Sequence, residues 1–191
     1  MPASIRPWPR GISTSSLPKP LIDMDDLPFA RTGVSILSPL RYPGAKRRLA
    51  GYIERVVVLN RLRPALFVEP FAGGASVALQ LLNNRVVERI GLIERDPLVA
   101  AFWQTVFSDA DWLVEQVETV EVTLERWYDY KRGVPTDTRG RALACLFLNR
   151  TSFSGILVQH QARMSGIECH HAANVRKLVD FLSRSGALIM H

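Results

Sequence analysis

The segment VEPFAGGASVAL, residues 68–79, contains the residues best suited to bind a nucleoside. It follows an apolar run at residues 65–68 that predicts a β-strand, and it leads directly into an amphipathic pattern that predicts a helix. A second short strand is predicted at residues 90–93, and Glu94 follows it. Glycines let the backbone approach a ligand, and an acid in this place accepts hydrogen bonds from ribose hydroxyls. The pattern indicates a site for a nucleoside-containing cofactor.

Each of these residues also has an interpretation without a ligand. Gly73 and Gly74 tolerate positive φ, and Glu69 and Pro70 would shape the wall of a crevice at the strand end. The alternative for the glycines is a tight turn between a strand and a helix. The alternative for Glu94 is an acid that stabilises the N-terminus of the following helix through the helix dipole.

A second candidate motif is RYPGAKRRL, residues 41–49. The ring of Tyr42 could stack on a purine, and the ammonium group of Lys46 could neutralise a carboxylate or a phosphate. The alternative is a basic turn that starts a helix.

A third motif is LFLNRTSFSGIL, residues 146–157, in which an apolar helix ends at Arg150 and hydroxyl residues follow. Arginine and hydroxyl side chains suit phosphates, and Phe153 could insert between bases or stack on them. The alternative is a capped helix end with a buried phenylalanine. Four further residues could in principle bind a metal, but their spacing fits no usual zinc pattern: His160, Cys169, His170 and His171.

The composition favours a soluble protein of a reducing compartment. A hydrophobic content of 47% and a charged content of 22% are those of globular domains. No apolar stretch approaches the ~20 residues that a membrane-spanning helix needs. Cys145 and Cys169 are the only two cysteines, too few for a disulfide framework. We therefore expect an intracellular, cytoplasmic protein.

Charge is distributed unevenly along the chain. Residues 1–63 contain 11 basic and 4 acidic side chains, residues 64–130 contain 4 and 11, and residues 131–191 contain 9 and 3. Basic surface attracts phosphate backbones, so the two basic thirds are compatible with nucleic-acid binding. Ordinary solvated charge is the alternative.

The order of predicted elements is that of an α/β protein. Prolines and a Ser/Thr cluster make residues 1–38 a predicted disordered leader. Residues 65–107 alternate strand, helix, strand and helix, which predicts parallel strands. Helices are predicted at residues 109–130 and 139–149, and an amphipathic helix is predicted to end near Gly186.

The motifs RYPGAK, VEPFAGGASVAL, IERDP and LNRTSFSG, in this order, resemble those of the Dam-type DNA adenine-N6 methyltransferases. The resemblance covers residues 39–157. It implies a Rossmann-like α/β fold that uses S-adenosylmethionine, with an incomplete sheet and a helical target-recognition insertion. The expected divisions are a cofactor-binding portion at residues 39–108, a recognition region at residues 109–160 and a divergent segment at residues 161–191.

The resemblance also implies roles for individual residues. Those expected at the S-adenosylmethionine site are Tyr42, Lys46, Glu69, Phe71, Gly73, Gly74 and Glu94, the last of which stands where the family usually has aspartate. Those expected to contact double-stranded DNA are Arg41, Arg150, Thr151, Ser152 and Phe153.

The catalytic motif of the family does not occur in this sequence. The family places Asp-Pro-Pro-Tyr at a strand end after the recognition region, whereas the only Asp-Pro here is Asp96-Pro97, followed by Leu98. We therefore expect an adenine methyltransferase, or the N-terminal portion of one, with weak or no activity alone. A second chain could supply the missing catalytic half. The alternative is a non-catalytic remnant that binds DNA or a partner.

Overall fold

A computed structural model describes residues 38–41, 46–152, 157 and 171–185. The predicted leader lies outside the described residues, except for Ser38. The elements in chain order are α1 (Arg47–Leu59), β1 (Leu66–Pro70), α2 (Ser76–Asn83), β2 (Arg89–Ile93), α3 (Pro97–Ser108), α4 (Ala110–Thr119), α5 (Leu124–Arg132), α6 (Thr138–Thr151) and α7 (His171–Ser185).

The two strands form a small parallel sheet. Their register pairs Leu66 with Arg89 at one end and Pro70 with Ile93 at the other. Helix α2 connects them, because parallel strands need a crossover rather than a hairpin. Both predicted strands and the helix between them are confirmed. No third strand occurs in the described part of the chain.

The helices that follow the two strands begin in different ways. Asp96 precedes α3, and its Oδ1 accepts hydrogen bonds from the backbone N–H groups of Leu98 (2.8 Å) and Val99 (3.3 Å), with Pro97 in the first turn. This confirms the predicted N-cap. Ala75 precedes α2 and has no side chain that could cap it. The first turn of α2 therefore depends on an acceptor from elsewhere in the fold.

Two helices differ from the sequence prediction. The helix predicted over residues 109–130 is divided into α4 and α5, and the break falls at residues 120–123. Val120, Val122 and Thr123 are β-branched and weaken a helix, and the Thr123 side chain caps α5 by accepting from the backbone N–H of Arg126. The sequence predicted helix α1 only as the alternative interpretation of RYPGAKRRL, a basic turn that starts a helix.

One core connects the sheet to the helical half of the chain. It includes the fully buried side chains of Leu79 in α2, Ile90 in β2 and Phe102 in α3. Helix α6 packs more extensively on α3 than any other pair of elements pack together, and Cys145 belongs to this core. A smaller cluster joins α5 to α6 and consists of Trp127, Phe147 and Leu148.

In the described part of the chain, no helix is long and apolar enough to cross a membrane. No group of three or more potential metal ligands occurs there. His160, Cys169 and His170 lie outside the described residues, as does the side chain of His171.

Burial of α2 should dominate the stability of the sheet layer. We expect Leu79→Ala to lower the free energy of unfolding by about 2–5 kcal/mol, because Leu79 is fully buried and truncation leaves a cavity. Leu59→Ala is the matched control, since Leu59 is 58% exposed and should change stability by less than about 0.5 kcal/mol. Urea unfolding monitored by circular dichroism measures both, and equal effects would contradict this description of the core.

Candidate functional site

The turn between β1 and α2 has an unusual backbone. Phe71, Gly73 and Ala75 all have positive φ, at 54°, 51° and 50°. Glycine adopts this conformation without strain, whereas a non-glycine residue pays roughly 1–3 kcal/mol for it. Phe71 is also 74% exposed, so its strain is not offset by burial of its ring. A strained, exposed aromatic residue at a strand end supports the hypothesis that this turn is a functional site.

The carboxylate of Glu94 holds this turn from the end of the neighbouring strand. Its Oε2 accepts a hydrogen bond from the backbone N–H of Gly73 at 2.6 Å. Its Oε1 accepts from the backbone N–H groups of Arg95 (2.8 Å) and Asp96 (2.9 Å). The backbone N–H of Ala72 donates to the carbonyl of Ile93 at 3.0 Å. The turn and the end of β2 are therefore joined by both side-chain and backbone bonds.

Other parts of the fold cover the two glycines. The indole Nε1 of Trp103 donates to the carbonyl of Gly73 at 2.8 Å, and both residues are buried. A Cβ atom on Gly74 would lie 3.2 Å from Ser38 Oγ, so this glycine makes room for the segment before α1. The predicted role of the two glycines in admitting a ligand stays a prediction; what the structure describes is that Gly74 makes room for Ser38. The accessible part of the turn is Phe71.

Glu69 and Lys46 tie three elements together beneath the turn. Glu69 is 3% exposed, and its Oε2 accepts from the backbone N–H of Ala78 at 2.9 Å, which supplies the acceptor that α2 lacks. Its Oε1 lies 3.1 Å from Lys46 Nζ, an ion-pair contact whose geometry is not that of a hydrogen bond. Lys46 Nζ also donates to the carbonyl of Phe71 at 2.8 Å. These contacts therefore bring together the start of α1, the end of β1 and the start of α2.

Asn149 is an important residue that the sequence analysis did not include among the site residues. It lies in α6, is 1% exposed, and binds both backbone groups of Arg41: its Oδ1 accepts from the N–H and its Nδ2 donates to the carbonyl, each at 2.7 Å. In the sequence, the indication of this role was that Asn149 is a polar residue at the end of an apolar helix. This clamp positions the chain immediately before Tyr42.

The residues predicted to contact DNA fall into two groups. Arg41 is exposed, and Arg150 Nη1 donates to the carbonyl of Pro39 at 3.1 Å. Thr151 and Ser152 are buried: the Thr151 hydroxyl donates to the carbonyl of Phe147 at 2.8 Å, and Ser152 Oγ accepts from the Trp127 indole at 3.3 Å. Their hydroxyl groups act within the protein in this arrangement, so their contact with DNA stays a prediction.

The structure brings together six of the seven residues predicted at the cofactor site. Five of them are linked by the contacts above, and the sixth, Gly74, lies in the same turn: Lys46, Glu69, Phe71, Gly73, Glu94 and Gly74. Tyr42 lies outside the described residues, and so does Phe153 from the predicted DNA set. The role of each residue stays a prediction.

The carboxylates that follow β2 also affect the pKa of a side chain in α6. Burial raises the pKa of the Cys145 thiol well above its usual range, and the nearby charges of Asp96 and Glu94 raise it further. Cys145 is fully buried in α6. Because a thiol needs a low pKa to react, Cys145 is a packing residue rather than a nucleophile.

The capping role of Glu69 can be tested directly. We expect Glu69→Ala to lower the free energy of unfolding by about 1–3 kcal/mol, because the Ala78 N–H loses its acceptor and Lys46 loses its ion-pair partner. Glu88→Ala, at an exposed position before β2, is the matched control and should have little effect. Urea unfolding curves of the two variants measure this difference in stability. If the Glu69→Ala protein is as stable as the control, Glu69 does not act as the cap of α2.

Comparison with known proteins gives the family. No curated protein is similar enough to this chain to count as a match. The family model for D12 class N6 adenine-specific DNA methyltransferases matches residues 42–168, which is more than half of the 191-residue chain. This match covers the turn, the acid after β2 and the end of α6, and it confirms the resemblance found from the motifs. The chain belongs to the family of D12 class N6 adenine-specific DNA methyltransferases.

Proposed function

We propose that this chain binds S-adenosylmethionine at the turn after β1 and forms the cofactor half of an enzyme that methylates adenine N6 in double-stranded DNA. The observation that carries the proposal is the bond between Glu94 and Gly73, at the carboxyl ends of two parallel strands. In open α/β sheets, ligands bind at this edge. Family membership supplies the reaction type.

The hydrogen-bonding capacity of Glu94 fits a ribose. An ionised carboxylate has about four acceptor sites. Three are used by the backbone N–H groups of Gly73, Arg95 and Asp96. Oε2 accepts only one of these three bonds, and Glu94 is partly exposed, so one acceptor site remains for a ribose hydroxyl. The bond to Gly73 would hold the carboxylate in place for it.

The remaining accessible groups suit the other parts of the cofactor. The ammonium of Lys46 is 36% exposed and could bind the carboxylate of the methionine moiety. Phe71 offers an exposed ring at the turn, and Tyr42 would offer another. Glu69, whose Oε2 accepts from the Ala78 N–H and whose buried Oε1 contacts Lys46, would position these groups and form part of the wall of the site. When bound, S-adenosylmethionine supplies the methyl group.

The wider architecture that we propose is a Rossmann-like domain with a helical recognition region. The β1–α2–β2 unit followed by α3 is typical of that fold. The flanking thirds of the chain are basic, and Arg41 is exposed beside the clamp from Asn149, which supports DNA contact on that side. DNA binding through Arg150 and its neighbours would occur around this same clamp.

A second candidate function follows from the missing catalytic motif. The only Asp-Pro in the sequence is Asp96-Pro97, and Asp96 is used as the N-cap of α3. Removal of an adenine amino proton needs an acceptor in the pocket that holds the flipped base, and no residue here is assigned to it. The chain would then be a remnant that binds DNA or a partner without catalysing methylation.

Calorimetric titration with S-adenosylmethionine tests the cofactor site. We expect one molecule to bind per chain, and we expect Glu94→Gln to weaken binding by about 10- to 100-fold, because a hydrogen bond to a charged group is lost. Glu88→Gln is the matched control and should bind as the unaltered chain does, since Glu88 lies at the opposite end of β2. Absence of binding by the unaltered chain would refute the proposed function. Equal binding by both variants would refute only the role of Glu94.

A methylation-free host tests activity. We expect DNA from cells expressing residues 1–191 alone to contain no N6-methyladenine by mass spectrometry, because the chain contains no Asp-Pro-Pro-Tyr. An intact adenine-N6 methyltransferase expressed in the same host is the positive control. Detection of N6-methyladenine with this chain would show that another residue performs the catalytic role.

A further inference from the structure

Residues 38–41, here called the linking segment, lie between the turn after β1 and the end of α6. On one side, a Cβ atom on Gly74 would lie 3.2 Å from Ser38 Oγ. On the other side, the side chain of Asn149 bonds to both backbone groups of Arg41. The linking segment therefore contacts the proposed cofactor site and also the helix end that is expected to contact DNA.

Burial and hydrogen bonds hold the linking segment along its length. Pro39 and Leu40 are buried, and Leu40 belongs to the main core. The backbone N–H of Leu40 donates to Ser38 Oγ at 3.2 Å, and Arg150 Nη1 donates to the carbonyl of Pro39 at 3.1 Å. Packed interiors have low compressibility and transmit strain. We therefore expect a shift at the α6 side of the segment to reach Gly74.

Two hydrogen bonds from one side chain attach the linking segment to α6. The amide of Asn149 accepts from the backbone N–H of Arg41 and donates to its carbonyl, each at 2.7 Å. Asn149 is 1% exposed, and a buried amide is costly unless its groups are paired. Two bonds to one residue fix the orientation of its backbone as well as its position. Asn149 therefore holds the linking segment in one orientation.

Arg41 presents its side chain to the surface while its backbone is held by α6. The residue is exposed, and a guanidinium group suits the phosphates of a DNA backbone. A phosphate bound by this side chain would act on the linking segment directly, since Arg41 is its last residue. The proposed DNA contact and the turn after β1 are thus connected through four consecutive residues.

We propose that Asn149 is a positioning residue for the cofactor site and that, through the linking segment, it couples DNA contact at Arg41 to the turn after β1. This proposal rests on the proposed function, because it requires that both DNA and S-adenosylmethionine bind. A contact that orders the linking segment from the DNA side leaves less to be ordered when the cofactor binds. Each ligand therefore strengthens the binding of the other.

Calorimetric titration with S-adenosylmethionine, with and without DNA, measures this coupling. The DNA is a mixed-sequence duplex of about 20 base pairs, used at low salt so that phosphate contacts alone are enough for binding. We expect the Kd for the cofactor to be at least about 5-fold lower with DNA than without it. In Asn149→Leu, which removes both bonds to Arg41, this ratio should fall below about 2-fold. A purely structural role of Asn149 would change both Kd values by the same factor and leave the ratio unaltered.

Two further variants separate coupling from a loss of stability. Thr105→Val is the matched control: Thr105 is also 1% exposed, and its hydroxyl donates to the carbonyl of Ala101 within α3, at 2.9 Å, rather than to the linking segment. It should retain the ratio of the two Kd values. Ser38→Gly removes the side chain that lies against Gly74 and should reduce the ratio. Because Ser38 is only partly buried, this variant decides if Asn149→Leu does not fold.

Hydrogen exchange measures the same coupling without cofactor. The amides of residues 72–79 cover the turn after β1 and the first turn of α2. We expect the DNA duplex to slow their exchange by at least about 5-fold in the unaltered chain and in Thr105→Val, because DNA would hold the linking segment against the turn. In Asn149→Leu and in Ser38→Gly, DNA should leave the exchange of these amides unchanged.

Several results would overturn the proposal. These are equal cofactor affinity with and without DNA in the unaltered chain, a ratio that persists in both Asn149→Leu and Ser38→Gly, or a ratio that Thr105→Val also abolishes. A chain that binds DNA but not S-adenosylmethionine would refute the proposed function, and the exchange measurement would still test the coupling. A chain that binds S-adenosylmethionine but not DNA would refute both the DNA contact and the coupling.

Discussion

The rest of this structure depends on the contacts that the buried carboxylate of Glu69 makes. One of its oxygens caps α2, and the other lies beside the ammonium of Lys46 at the start of α1. A buried charge is costly unless it is paired and hydrogen-bonded. The first turn of α2 and the residue before α1 must therefore lie within contact distance of this carboxylate. Because Glu69 is in β1, it also fixes the helices to the sheet. Ala75 can therefore precede α2 without capping it.

The turn above Glu69 is held in a conformation that it would not adopt alone. Positive φ at Phe71 and Ala75 is unfavourable in an isolated peptide. The surroundings offset this cost through Glu94 from β2, Trp103 from α3 and Lys46 before α1. A turn fixed from several directions is preorganised, so a ligand that uses it does not have to order it.

The helical half of the chain takes part in the same arrangement. Asn149 in α6 clamps the backbone of Arg41, and Arg150 reaches the carbonyl of Pro39. The end of α6 contains arginine and hydroxyl residues of the kind that bind phosphates. In this structure, its contacts hold the segment that precedes α1. This gives a physical link between the region expected to contact DNA and the region expected to bind the cofactor. A displacement of α6 would move the chain next to Tyr42.

The sequence by itself determined the features that depend on neighbouring residues. The two strands, the glycine turn and the Asp96 cap of α3 follow from patterns within a few residues of each other, because periodicity and capping are local. The family follows from four such local motifs in a fixed order along the chain. Only the tertiary structure decided that Asn149 clamps a residue 108 positions away, that Glu69 caps a helix in place of Ala75, and that Thr151 and Ser152 are buried. Contacts of this kind depend on how helices pack against the sheet, and residue spacing along the chain does not contain that information.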